Sequence, residues 1–333
     1  MSEGLTTVET LLHPFSVSLT LLLALLLDTL FGEAKRFHYL VGFGYISQAV
    51  EARLNPHYAA KDNIEQGLNR GGYAVCLGII AWLILVLPLP IIYFFWLNDV
   101  VWYLHIGVDA FILYLAIGGR SLKEHAIQVY RPLIKGDLQN ARKFTGYLVS
   151  RETATLSAHE MSRATVESVL ENGHDSVIAS LTYYIIGGIP LVIIHRLANT
   201  LDAMWGYKTA RYFSFGYASA RLDDVLGFIS GKVCTVLYAV QGQPCLALKN
   251  AYQQGNLYKS HNGGWVMSAG ATVLNRTLGG TARYHGHSAF SPAMGAGKPV
   301  NVDDIPSSII IVKRASMCFF LVVLVYQLVA NFI

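Results

Sequence analysis

Long apolar runs without charge alternate along the chain with polar stretches. The clearest run covers residues 72–97 and exceeds the roughly 20 residues that an α-helix needs to cross a hydrocarbon core. Pro88 and Pro90 are expected to kink it. Three shorter apolar runs cover residues 15–31, 100–117 and 315–333. This pattern predicts an all-α, polytopic integral membrane protein with four full spans.

Two more apolar segments, 177–198 and 225–248, fit this scheme less simply. If both crossed the membrane, the basic segment between them would face outward, whereas Lys and Arg favour the cytoplasmic side. The glycines and the proline of "IIGGIP", residues 185–190, would let the first segment bend or turn back as a re-entrant helix. We therefore expect two partial or embedded segments, with six full spans as the alternative.

The distribution of Lys and Arg also predicts which polar stretches face the cytoplasm. Neither residue type occurs in residues 1–34 or after Arg314, so both termini are expected to face outward. Three insertions are expected on the cytoplasmic side, the second of them as amphipathic helices: 32–71, 118–176 and 249–314. Because no repeat or low-complexity linker interrupts the chain, residues 1–333 are predicted to form a single membrane domain.

Composition supports the membrane assignment and excludes one class of partner. Of the 333 residues, 53% are hydrophobic and only 14% are charged, against about 25% charged in a typical soluble domain. The mean hydropathy is +0.41. The net charge of +4 comes without a dense run of Lys and Arg. We therefore expect the lipid bilayer, and not a nucleic acid, as a partner.

Two local signals predict helix boundaries in the second polar insertion. Gly136 followed by Asp137 is typical of one helix that ends and another that begins. Ser157 and Glu160 have the S-x-x-E spacing of a capping box, which predicts that a helix begins near Ala158.

Acidic residues recur at four-residue steps along that helix. The stretch "VESVLENGHDSV", residues 166–177, contains Glu167, Glu171 and Asp175. Like charges one turn apart are mildly destabilising unless a cation lies between them, and carboxylate oxygens are ligands that Mg²⁺ prefers. Two interpretations therefore compete: a solvated helix face, or a site for cations and phosphates.

Two further polar clusters follow along the chain. Residues 199–224 combine many aromatic residues with six charges: Asp202, Lys208, Arg211, Arg221, Asp223 and Asp224. These groups could bind phosphates and a metal, or the aromatic side chains could anchor the chain at the membrane interface. The glycine-rich stretch 260–280 would allow close approach of the backbone to a ligand, with small-residue helix packing as the alternative. It contains neither a P-loop nor a GxGxxG fingerprint.

Longer motifs contain these clusters. They are "LDTLFGEAKRFHYLVGFGYI" at 27–46, "RSLKEHAIQVYRPLIKGDLQNAR" at 120–142, and the segments 149–177, 199–224 and 260–280. In this order they resemble the adenosylcobinamide-phosphate synthase family of cobalamin biosynthesis, the CbiB/CobD membrane proteins. The resemblance covers nearly the whole chain.

The resemblance implies a reaction. Members of that family form an amide at the expense of ATP: adenosylcobyric acid supplies the carboxylate, and (R)-1-amino-2-propanol O-2-phosphate or ethanolamine phosphate supplies the amine, which gives adenosylcobinamide phosphate. Activation through an acyl phosphate is implied, with Mg²⁺ as the metal cofactor and the corrinoid as a substrate. The resemblance also implies a bacterial inner-membrane protein with its active site facing the cytoplasm, beside other membrane enzymes of late cobalamin assembly.

Candidate residues follow from the same motifs. For catalysis, with His38 as a second candidate base, the resemblance implies Glu167, Glu171, Asn172, Asp175, Asp202, Asp223, Asp224 and His125. For binding the phosphate or carboxylate groups of ATP and the substrates it implies Arg120, Arg151, Arg163, Lys208, Arg211, Arg221 and Asn262. For the metal it implies Glu167, Glu171 and Asp175.

Departures from the family pattern leave the choice of amine open. Tyr39 follows His38 where the family has proline, and Ser176 and Ser180 replace a glycine and a proline. Met267 stands where the family has a glutamate, so the chain would be impaired or differently specific if that carboxylate were essential. A membrane transporter and a non-catalytic membrane regulator or scaffold remain the alternatives. Most charges lie outside the predicted spans, which favours the enzyme.

Overall fold

The structure is a computed structural model that describes residues 12–33, 39–60, 71–96, 100–284 and 287–332. Its first helices are α1 (Ser16–Phe31), α2 (Tyr39–Leu54), α3 (Gly72–Val86), α4 (Pro88–Trp96), α5 (Trp102–Ala116), α6 (Gly119–Ile134) and α7 (Leu138–Thr145). They are followed by α8 (Ala158–Asn172), a π-helical segment (Gly173–Ile178), α9 (Ala179–Trp205), α10 (Tyr217–Ala239), α11 (Pro244–Gly255), α12 (His261–Val273) and α13 (Asp304–Phe332).

Within these ranges, five helices are long and apolar enough to cross a membrane. They are His13–Phe31, Gly72–Trp96, Trp102–Ile134, Ala158–Trp205 and Asp304–Phe332. The predicted class, an all-helical polytopic membrane protein, is therefore confirmed. The first of the two uncertain segments, 177–198, lies in one of the five helices, whereas most of the second, 225–248, lies in α10, which is not among them.

Helix breaks occur where the sequence predicts them. The apolar run 72–97 divides between α3 and α4 at Leu87, directly before Pro88. Helix α9 has non-helical backbone angles at Gly187 and Gly188 (φ −151° and +62°) within "IIGGIP". A positive φ favours glycine because a Cβ would clash there, so the glycines of this segment predict the break.

Both predicted capping signals are confirmed. Helix α6 ends just before Gly136, which adopts φ +73°, and the Asp137 carboxylate accepts a hydrogen bond from the Asn140 amide at 3.1 Å. At the start of α8, the Ser157 hydroxyl accepts from the Glu160 amide at 3.3 Å, and the Glu160 carboxylate accepts from the Ser157 amide at 2.8 Å. Each pair satisfies backbone groups that a helix start leaves without partners.

A π-helical segment joins α8 to α9 and makes Ala158–Trp205 one long, interrupted helix. Its first residue, Gly173, packs so closely that an added Cβ would lie 2.5 Å from both the Tyr238 hydroxyl and a Val312 methyl carbon. Such segments shift the register of the residues that follow and occur often at functional sites. The glycine thus permits close helix packing at this point.

A small sheet also forms, which the sequence analysis did not predict. Strand β1 (Arg276–Tyr284) pairs antiparallel with β2 (His287–Gly295) and parallel with the short β3 (Lys298–Pro299). The sheet is attached to α11 by the Gln254 side chain, which donates to the Gly295 carbonyl at 3.0 Å and accepts from its amide at 2.6 Å. Glycine-rich strands lack the alternation of apolar and polar residues that identifies strands in a sequence.

Loss of the α8 cap should lower stability without altering chemistry. We expect Ser157→Ala to reduce the free energy of unfolding by about 1 kcal/mol, the usual effect of removing an N-cap hydroxyl. Thermal unfolding in detergent measures this. Thr155→Ala, an exposed threonine two residues earlier, is the matched control and should leave the midpoint unchanged; an equal shift in both variants would remove the cap from the explanation.

Candidate functional site

An acidic cavity of about 550 Å³ opens where α8, α9, α10 and the start of α12 meet. Five carboxylates line it: Glu171, Asp175, Asp202, Asp223 and Asp224. Three cationic side chains share the lining: Lys208, Arg221 and Lys259. The cavity therefore unites parts of the three polar clusters that lie far apart in the sequence.

Two glycines allow the turn that brings Asp202 to face α10. A Cβ on Gly216 would lie 1.8 Å from the Trp205 carbonyl oxygen, and a Cβ on Gly206 would lie 2.1 Å from the Asp202 carboxylate. Neither position accepts a side chain without movement of the backbone or of the acid. The close turn after α9 therefore lets Asp202 and the α10 acids Asp223 and Asp224 line one space.

The π-helical segment fixes the orientation of Asp175. The Asp175 carboxylate lies 2.7 Å from Nδ1 of His174, and Nε2 of the same buried imidazole lies 2.9 Å from the Ser230 hydroxyl. His174 is 1% exposed, and its ring lies between the Asp175 carboxylate and the Ser230 hydroxyl. Spacing along the chain gives His174 no role, because its partner on α10 is 56 residues away.

Asp223 is partly buried and lies near other acids of the cavity. Burial raises its pKa to about 8, and the negative charges of Asp175 and Asp202 add to the increase. The Asn199 amide, which donates to this carboxylate at 3.3 Å, opposes the shift. A carboxylate that retains its proton near neutral pH can act as a proton carrier, and a cation in the cavity would favour its ionised form.

The cavity fits Mg²⁺ bound together with a phosphate better than Mg²⁺ bound by protein alone. Among the described residues, no three His, Cys, Asp or Glu side chains converge into a ready-made metal centre. Mg²⁺ commonly takes one or two carboxylates and completes its octahedron with water and substrate phosphates. The acids of this cavity suit that arrangement.

The start of α12 supplies groups for an anion beside these acids. The Ser260 hydroxyl caps the helix by accepting from the Gly263 amide at 3.3 Å, and the Asn262 side chain donates to the Asp224 carbonyl at 2.9 Å. Gly263 is tightly placed, because a Cβ there would lie 2.6 Å from the Glu171 carboxylate. With Lys259 next to the cap, this end of the helix favours negative charge. Lys259 was missed in the sequence, although it directly precedes the glycine-rich motif.

Glu167 lies apart from the cavity lining, so the ladder of three acids is divided. The Arg151 guanidinium lies 2.5 Å from its carboxylate, and the Gly279 amide donates to it at 2.9 Å. The neighbouring Arg163 donates to the Thr281 carbonyl at 2.9 Å. Glu167 and Arg163 therefore fasten strand β1 to α8, and Arg151 joins the segment before α8 to Glu167.

Arg120 and Arg211 also lie outside the acidic cavity. Nε of Arg120 contacts Glu124 at 2.7 Å, and the same guanidinium donates to the Thr29 and Leu30 carbonyls. Nε of Arg211 contacts the buried Glu51 carboxylate at 2.7 Å. Arg120 joins α6 to α1, and Arg211 joins the segment between α9 and α10 to α2. Neither lines the acidic cavity.

The remaining predicted residues have local contacts. The Asn172 side chain donates to the Ser168 carbonyl one turn back at 2.9 Å. His125 is exposed, with Nδ1 at 2.9 Å from the Ser121 carbonyl. Neither lines the acidic cavity, and His38 lies outside the described residues.

The fold and this cavity define a class: a polytopic helical membrane protein with an acidic cavity beside cationic groups. The chain belongs to the CobD/Cbib protein family, whose model matches residues 21–312, and this confirms the resemblance seen in the sequence.

Relatives support the assignment over most of their length. The chain is 41% identical over 302 residues to "Cobalamin biosynthesis protein CobD" of Chromobacterium violaceum, which covers 89% of this chain and 92% of that protein. It is 42% identical over 282 residues to the protein of the same name from Stutzerimonas stutzeri, which covers 85% and 88%. No solved structure matches the chain.

The raised pKa of Asp223 predicts that metal affinity depends on pH. A divalent ion in the cavity favours the ionised form of this carboxylate and so releases its proton. Affinity should therefore rise as the pH increases through about 8 and level off above. Mn²⁺ serves as the probe, with the free ion measured by electron paramagnetic resonance under anaerobic conditions. Asp223→Asn should weaken binding and flatten the profile.

Asp303→Asn is the control, because Asp303 is exposed and does not line the cavity. It should keep both the affinity and the pH profile. An unchanged profile in Asp223→Asn would show that this carboxylate does not carry the displaced proton.

Proposed function

We propose that this protein acts in cobalamin biosynthesis as an ATP-dependent amide ligase of the adenosylcobinamide-phosphate synthase type. It joins the carboxylate of adenosylcobyric acid to the amine of an amino-alcohol phosphate, at the cytoplasmic face of the bacterial inner membrane. The observation that carries the proposal is the acidic cavity with its cationic neighbours, in a chain of the CobD/Cbib family. The names of the relatives agree with this pathway.

The first step activates the acid. A carboxylate oxygen of the corrinoid attacks the γ-phosphorus of ATP, ADP leaves, and an acyl phosphate forms. Lys208, Arg221 and Lys259, together with the amides at the start of α12, are suited to stabilise the phosphate charges that develop. Glu171 and Asp175 would hold Mg²⁺, which supplies further neutralisation of phosphate charge when bound.

The second step forms the amide. The amine nitrogen attacks the acyl carbon, inorganic phosphate leaves, and the nitrogen loses a proton. The substrate amine is protonated in water, so the site must attract an ammonium and then accept a proton from it. Asp202 and Asp224 offer negative charge for the ammonium. Burial raises the pKa of Asp223 to about 8, so Asp223 can accept the proton once a bound cation has favoured its ionised form.

The departure at Met267 does not weaken this proposal. Met267 is 1% exposed within the apolar core and does not line the acidic cavity. The carboxylate expected at that position would therefore lie outside the group of acids assigned to the chemistry. Met267 is the departure that most favoured the regulator and scaffold alternatives, and its position in the core weakens that argument.

A product assay tests the reaction. Purified protein supplied with ATP, Mg²⁺, adenosylcobyric acid and (R)-1-amino-2-propanol O-2-phosphate should form adenosylcobinamide phosphate, ADP and phosphate in equal amounts, as measured by mass spectrometry and phosphate release. Ethanolamine phosphate in a parallel reaction determines the amine preference. Well-folded protein that makes no amide with either amine would rule the proposal out.

A single acid tests the cavity itself. Glu171→Gln keeps the size of the side chain but removes its charge, so turnover should fall by about 100-fold or more because phosphate and metal lose a partner. Membrane insertion and the thermal midpoint should stay unchanged. Glu124→Gln, which neutralises a glutamate outside the cavity paired with Arg120, should retain activity. Full activity in Glu171→Gln would return this acid to the solvated-face interpretation.

A further inference from the structure

A second cavity, of about 350 Å³, lies between α1, α6 and α13. One side is formed by Val169 and Val177, from α8 and the π-helical segment. The same stretch of helix carries Glu171 and Asp175 toward the acidic cavity. The two cavities thus share a helix but have no lining residue in common.

The lining of this second cavity changes from apolar to charged at one level of the fold. Leu25, Ile117 and Met317 contribute apolar surface, while Lys123 and Lys313 contribute charge. The helices supply these residues where their apolar runs end. Helix α1 stops a few residues after Leu25, the run of α5 stops at Ile117, and the uncharged part of α13 starts after Arg314. The cavity therefore lies where the apolar parts of three helices end, the level at which hydrocarbon would give way to headgroups if these helices cross the membrane.

The charges of this cavity leave two lysines without a partner. Its acids are Asp28, which accepts from the Arg120 amide at 3.1 Å, and Glu124, which contacts the Arg120 guanidinium at 2.7 Å. Lys123 and Lys313 are exposed, and neither forms an ion pair in the part of the chain that the structure describes. Two free cations at the mouth of an apolar cavity complement one amphipathic anion.

We propose that this cavity binds one anionic phospholipid. Part of an acyl chain occupies the apolar lining, and the lipid phosphate contacts Lys123 and Lys313 at the mouth. Basic pockets between membrane helices bind acidic headgroups in this way, because phosphate neutralises lysine while the chain stays in hydrocarbon. A soluble phosphate would satisfy the lysines but leave the apolar lining against water.

The experiment measures lipid choice directly. Purified full-length protein in detergent is titrated with phosphatidylglycerol or with phosphatidylcholine of the same chains, and bound lipid is counted by native mass spectrometry. We expect at least tenfold tighter binding of phosphatidylglycerol at one site per chain. The double variant Lys123→Gln/Lys313→Gln should abolish that preference, and Met317→Trp, which fills the apolar part, should weaken both lipids.

The control removes the same charge elsewhere. Lys135→Gln/Arg314→Gln neutralises two exposed cations, one just after α6 and one on α13, that do not line the cavity. This variant should keep the preference for phosphatidylglycerol. Equal binding of the two lipids, or equal loss in the control, would overturn the proposal. If soluble glycerol phosphate displaced the lipid at a concentration similar to that of the lipid, the proposal would also be overturned. The cavity would then be a site for free anions. None of these measurements requires amide-forming activity.

Discussion

The arrangement of the acidic cavity depends on one π-helical turn. The segment Gly173–Ile178 interrupts the α-helix between Glu171 and Asp175, and both acids line the cavity on either side of this interruption. Asp175 lies 2.7 Å from Nδ1 of His174, whose Nε2 contacts Ser230 on α10. The close packing of Gly173 makes this possible. The turn therefore fixes a carboxylate and joins α8 to α10 at the same time.

Like charge gives the cavity its chemical character. Several acids face one space. Burial raises the pKa of Asp223 to about 8, and repulsion from Asp175 and Asp202 adds to the increase. Such a site binds cations well because each bound cation relieves repulsion that the folded protein already carries. The cationic groups lie beside it, on Lys208, Arg221 and Lys259. In the proposed reaction, ammonium, metal and phosphate would each have a partner of opposite charge in this cavity.

Local signals predicted much of the fold, whereas long-range contacts decided the site. The capping box at Ser157 and the break at Gly187–Gly188 involve neighbours in sequence, and both could be predicted. The pairing of Glu167 with Arg151 and with the Gly279 amide could not, because Gly279 is 112 residues away and lies in an unpredicted strand. Spacing alone gave Glu167 and Glu171 the same role, and tertiary packing separated them. Lys259 had no pattern of its own and was found only by its position beside the cavity.

A short series of contacts connects the candidate membrane spans to the acidic cavity. The Gly118 amide, where the α5 run ends, donates to the Ser176 carbonyl at 3.2 Å, directly after Asp175. On the next residue, Gly119, a Cβ would lie 2.8 Å from the Asp28 carboxylate of α1. The backbone that carries Asp175 is therefore hydrogen-bonded to the start of α6, which packs against the end of α1. Because both helices belong to candidate membrane spans, the orientation of the Asp175 carboxylate depends on how those spans are packed. This dependence is a physical reason for the proposed reaction to take place in a membrane protein.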